Sequence, residues 1–226
     1  MQVDLKVVQL LCSRLCHDLS GPTGAIHNGV ELLQESPVGD QTALDLVATS
    51  ATQLKARLAF YRMAFGLGGL SVGGSPLREA HGLATSFFNG GKTALDWSQV
   101  SEPSGDAGIG PQQTGEAAKL LLNMILFIAD SLPRGGALEA RLAVSPETPA
   151  APGAAIGLAV VGIGPGAFIK DERKVGLIES TEIDELSAHN VHGYFLRRLA
   201  QSQGGRIEIS DQGENVQIAA LLPGSD

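Results

Sequence analysis

The stretch Ser13-Arg14-Leu15-Cys16-His17-Asp18-Leu19-Ser20-Gly21-Pro22 lies inside the first long segment with helical apolar periodicity. At about 100° per residue, Val8, Leu11, Leu15, Leu19, Ile26 and Leu33 share one side of a helical wheel. His17 falls on the other side, among Leu10, Ser13, Arg14, Ser20, Gly21, Gly24 and Asn28. One side is suited to burial. The other displays an imidazole among mostly small and polar neighbours, which leave room for a partner to approach. Pro22 lacks a backbone donor and leaves the carbonyl of Asp18 without its usual helical partner, so a bend is expected one turn after His17.

Outward from this stretch, residues 3–35 read as one helix and 36–40 as a turn by residue type. A second helix follows over 41–65. Its apolar positions Leu44, Val47, Ala51, Leu54, Leu58, Tyr61 and Phe65 alternate spacings of three and four, the seam of coiled-coil packing. Two long helices joined by a short turn form an antiparallel hairpin. A lone hairpin leaves apolar surface wet, and pairing two hairpins into a four-helix bundle buries it. Residues 1–66 are therefore expected to be a dimerisation unit, with cover by the rest of the chain as the alternative.

Glycine-rich residues 66–76 mark a boundary. Beyond it the patterns alternate: helix 77–88, strand 93–100, helix 114–132, strands 137–145 and 155–161, an irregular stretch 162–187, helix 189–203, and a hairpin of 206–210 with 216–222. This order suits an α/β sandwich over 77–226, with helices on one face of a mixed sheet. The fold class is thus α+β. Hydrophobic residues make up 43% of the chain and aromatics only 4%, so aliphatic side chains must fill the core. No apolar run approaches the roughly 20 residues of a membrane span, and the first residues lack a signal-peptide pattern. A cytoplasmic location is the expectation. The net charge of −8 argues against a general nucleic-acid binder. Cys12 and Cys16 have no further ligands at metal-binding spacing and read as reduced packing residues.

His17, Asp18 and Pro22 resemble the phosphoacceptor box of bacterial histidine kinases, which reads His, acid, aliphatic, basic, small polar, Pro; here Ser20 stands where the basic residue is usual. The element order of 77–226 resembles the ATP-binding domain of the same kinases. Asn123, Gly135 and Gly136 stand at that family's spacing, but Phe127 replaces its metal-coordinating asparagine. Gly162 replaces the adenine-recognising aspartate, and Asn190 and His192 occupy the glycine positions of its lid loop. Phenylalanine offers no oxygen to Mg²⁺, and glycine offers no side-chain acceptor to adenine. A rival pattern, Gly162-x-Gly164-x-x-Ala167 after an apolar strand, fits a loose dinucleotide fingerprint.

Dimeric hairpin, phosphoacceptor box and degenerate ATPase-like domain together resemble the ChpT-like histidine phosphotransferases. The stretches Gly24-Ala25-Ile26-His27-Asn28-Gly29-Val30-Glu31-Leu32-Leu33 and Phe60-Tyr61-Arg62-Met63-Ala64-Phe65-Gly66 strengthen the likeness. The resemblance implies relay of a phosphoryl group between receiver domains, with His17 as the carrier. Asp18 would orient the imidazole or accept its proton, and the residues around His17 would contact the receiver. It implies no cofactor on this chain, since the receiver brings its own Mg²⁺. An ATP-dependent histidine kinase and a non-catalytic receiver adaptor are the alternatives.

Overall fold

Helix α1 (Leu5–Glu35) runs unbroken through Pro22 in the computed structural model, which describes residues 4–35, 40–66, 74–103, 108–145 and 153–224. The carbonyl of Asp18, freed by the proline, faces the Arg57 guanidinium of the second helix at 3.5 Å. That helix, α2 (Gln41–Phe65), begins where the Asp40 side chain accepts hydrogen bonds from the backbone N–H groups of Thr42 and Ala43. The expected turn before it falls largely on 36–39, outside the described residues, as do 67–73 of the glycine-rich connection. The two helices approach closely at Gly29. A Cβ there would lie 2.6 Å from Val47 Cγ2 and 3.3 Å from the Ala43 carbonyl oxygen.

The rest of the chain forms α3 (Pro76–Phe88), β1 (Thr93–Gln99), α4 (Pro111–Ala129), β2 (Gly136–Ser145), β3 (Ala155–Ile163), α5 (Asp171–Val175), α6 (Val191–Ser202), β4 (Arg206–Gln212) and β5 (Asn215–Leu222). The irregular stretch holds α5 and a 3-10 turn at Ile183–Glu185. The sheet order is β1-β2-β3-β5-β4, with β1 and β2 parallel and the other pairs antiparallel. Burial alternates along β3 and β5: Ile156, Leu158, Val160, Val216, Ile218 and Leu222 point to the helices. Helix α4 is buried almost all round from Ala117 to Ile128, because it lies among the sheet, α3, α6 and α2. The fold is α+β, as expected.

The faces of the hairpin are divided between the second domain and open surface. Its open end is embedded in the second domain: Phe60, Tyr61 and Ala64 belong to the same core as α4 and the sheet, and Val7 packs with Leu186 and Val191. The seam read along α2 is split. Tyr61 is buried inward, whereas Leu44 and Leu58 are each half exposed. The inward face of α2 is instead Ala43, Ser50, Phe60, Tyr61 and Ala64, because Gly29 and the second domain draw that side in. The inward face of α1 likewise includes Arg14 and Asp18, not only its aliphatic stripe.

The contact at Gly29 predicts opposite effects for two glycines of one helix. Gly29→Leu should lower the melting temperature, since overpacking costs about 1–3 kcal/mol. Gly24→Ala should raise it slightly, because nothing lies within 4 Å of a Cβ there and alanine gains up to about 1 kcal/mol in a helix. Thermal unfolding followed by circular dichroism checks both signs.

Candidate functional site

His17 stands on α1 with 87% of its side chain exposed. Its Nδ1 lies 3.3 Å from Oδ1 of Asp18. An ionised carboxylate only accepts, so a hydrogen bond between them requires a proton on Nδ1. The backbone carbonyl of His17 accepts from the Ser20 hydroxyl at 2.7 Å. Asp18 faces inward, and its Oδ2 accepts from the Tyr61 hydroxyl at 3.1 Å. Burial, with Asp18 beside it, raises the Tyr61 phenol above its ordinary range, so it stays a neutral donor.

Arg14 lies one turn before Asp18, with only 12% of its side chain exposed. Its Nε is 3.9 Å from Asp18 Oδ2, and its Nη2 is bonded to Asp130, the residue that ends α4. Burial opposes the guanidinium charge, but Asp130 and then Asp18 outweigh it, and the Arg14 pKa is raised. Asp130 also meets Arg173 Nη2 at 3.3 Å. Arg173 is buried, donates to Ser131 Oγ and the Phe127 carbonyl at 2.8 Å each, and stacks over the Phe127 ring at 4.3 Å. A cleft beside this chain of charges is lined by Asp18, Arg57, Tyr61, Phe87, Lys92 and Asp130.

The residues expected around His17 divide into two groups. Ser13, Ser20, Gly21, Gly24 and Asn28 are exposed. Leu10 is half buried against the Val7, Leu186 and Val191 cluster, and Arg14 is engaged with Asp130, so both are held inside the chain. His27 pairs with Glu31 one helical turn on at 3.3 Å. Cys12 and Cys16 are exposed free thiols rather than packing residues; on the wheel they fall beside Val8 and Val30, on the flank that α2 does not cover. Tyr61, Arg57, Asp130 and Arg173 were not legible as neighbours of this site. Tyr61 was read only as a seam position, and no local pattern ties Asp130 or Arg173 to α1.

In the second domain the positions compared with an ATP site are closely packed. Phe127 is fully buried, and a Cβ on Gly162 would lie 2.5 Å from Ile128 Cγ2 and 3.0 Å from Val216 Cγ2. Asn123 faces α2: its Nδ2 donates to the Ala64 carbonyl at 2.8 Å and to Lys119 at 2.9 Å. Lys119 in turn donates to the Gly66 carbonyl at 2.7 Å, so α4 satisfies carbonyls at the C-terminal end of α2. Asn123 Oδ1 accepts from His192 Nε2 at 3.2 Å, and the His192 ring packs near Phe65 and Phe127. The dinucleotide fingerprint is overturned. β3 runs antiparallel to both neighbours, and the next helix begins only at Asp171, so no β-α-β turn presents a helix N-terminus.

Residues 77–215 match the family described as histidine phosphotransferase C-terminal domain. The chain is 35% identical over 215 residues to protein phosphotransferase ChpT of Brucella abortus strain 2308, covering 93% of each. A solved bacterial phosphotransferase aligns with a TM-score of 0.72 and 31% identity over 97% of this chain and 98% of that one. The chain belongs to the histidine phosphotransferase family. Its role is that of a phosphotransferase in a phosphorelay.

Burial of His192 has a consequence for stability. Burial first, then the Arg14 and Arg173 charges, hold its pKa well below the usual histidine value. Above pH about 6.5 the imidazole is neutral in both folded and unfolded chains. Below it, only the unfolded chain takes up the proton, so stability falls by about 1.4 kcal/mol per pH unit from this group. Denaturation series between pH 7 and 5 should show that slope, and His192→Gln should reduce it by about one proton.

Proposed function

We propose that this chain relays a phosphoryl group between the aspartates of two receiver domains through His17. The observation that carries the reading is the exposed imidazole with Asp18 Oδ1 3.3 Å from its Nδ1. In the forward step the Nε2 lone pair attacks the phosphorus of a receiver aspartyl phosphate in line. The N–P bond forms as the P–O bond to the aspartate breaks, and the electron pair leaves with that carboxylate. The ring proton stays on Nδ1, where the Asp18 charge offsets the positive charge developing on the imidazole. A second receiver aspartate then attacks the phosphohistidine, and the ring returns to its neutral form. Such transfers rest on positioning and charge neutralisation. Mg²⁺ belongs to the receiver in this scheme, and this chain carries neither metal nor nucleotide. The buried Phe127 and the closed space at Gly162 support the absence of ATP-dependent autophosphorylation.

The active form in this proposal is a homodimer. Leu5, Val8, Val30, Leu44 and Leu58 are exposed along the hairpin, and a second hairpin would cover them. Ser13, Ser20, Gly21, Gly24 and Asn28 remain open beside His17 for the receiver. No helix among the described residues is long and apolar enough to cross a membrane.

Receiver domains phosphorylated with labelled acetyl phosphate should pass label to the full chain, whereas Mg²⁺ and ATP alone should leave it unlabelled. His17→Ala should abolish uptake while the fold persists, because an exposed helical position tolerates alanine. His27→Ala should retain uptake. Label on His17→Ala at the normal rate sinks the assignment.

The dimer is checked separately. Light scattering at micromolar concentration should report twice the 23.4 kDa of one chain. Replacing Leu44 and Leu58 together by glutamate should shift the mass toward the monomer.

A further inference from the structure

We infer that Tyr61, Arg14 and Asp130 are positioning residues for the transfer, through which the second domain sets the orientation of Asp18 and hence the tautomer of His17. This rests on the reading of His17 as the phosphoryl carrier. A free carboxylate rotates and serves either ring nitrogen poorly. Here the two oxygens of Asp18 have separate tasks. Oδ2 accepts from the Tyr61 hydroxyl at 3.1 Å and faces Arg14 Nε at 3.9 Å, which leaves Oδ1 for His17 Nδ1 at 3.3 Å. A hydrogen bond at one imidazole nitrogen decides which nitrogen holds the proton. With the proton on Nδ1, the nitrogen that attacks phosphorus keeps its lone pair.

Arg14 is held from the other end. Its direct hydrogen bond is to Asp130 rather than Asp18, and its buried Nε has no hydrogen-bond partner. Asp130 is fixed in turn by Arg173, which hangs on Ser131 Oγ, the Phe127 carbonyl and the Phe127 ring. The chain of contacts therefore begins at Phe127 and ends at the carboxylate beside His17.

Tyr61→Phe and Asp130→Asn alter opposite ends of this chain and keep the shape of each side chain. In full-length protein labelled with ¹⁵N-histidine, each should move the His17 NMR signals from the Nδ1–H toward the Nε2–H tautomer. Each should also slow labelling of His17 by phosphoramidate, used as a small phosphodonor, by about tenfold. In an Asp18→Asn background the same substitutions should change the rate by less than about twofold, because they act through Asp18. Unchanged tautomer and rate in folded Tyr61→Phe and Asp130→Asn would overturn the inference, as would full effects in the Asp18→Asn background. If His17 of the parent chain takes no phosphate while the tautomer still responds, the relay reading fails and the positioning stands. If His17 is labelled and neither variant differs, the reverse holds.

Discussion

Asp130 sits between two guanidinium groups, Arg14 from the hairpin and Arg173 from the sheet domain. Both arginines are mostly buried, and a buried cation left without its carboxylate is costly. The pairing therefore constrains how α1 lies against the end of α4. Asn123 and Lys119 add to it by donating to the last carbonyls of α2. Together these contacts make the hairpin and the sheet domain one packed body around Tyr61, Phe60 and Ala64.

The second domain packs its helices on one face of a five-stranded sheet, around a densely filled interior. Phe127 lies under Arg173, His192 against Asn123, and Gly162 against Ile128 and Val216. These contacts make apolar core and buried hydrogen bonds of that region. Asn123 illustrates the packing. Its residue type and position resemble a nucleotide-site asparagine, yet each of its polar atoms is engaged within the protein.

The hairpin is used on more than one side. Its inward side meets α2 and the sheet domain, and another side displays His17 among small exposed residues. A third leaves aliphatic side chains bare along both helices. Placing Asp18 on the border between the first two lets one carboxylate touch the exposed imidazole and the buried Tyr61 hydroxyl at once.

The sequence by itself determined the hairpin, the order of strands and helices, the exposure of His17 and the loss of the nucleotide-site residue types. These depend on local periodicity, turn chemistry and residue identity, which neighbours in the chain carry. Only the tertiary structure decided which polar residues meet. Arg14 read as a surface cation, because nothing near it in the chain reveals a carboxylate at position 130. Tyr61 read as an apolar seam residue, because its hydroxyl finds Asp18 only when α2 lies beside α1. Leu44 and Leu58 read as a packing seam, but a heptad pattern states only that a face is apolar, not what covers it; in the single chain they are half exposed. Pairings between distant segments depend on how whole elements dock, and docking is set by the sum of packing over the core rather than by any one stretch.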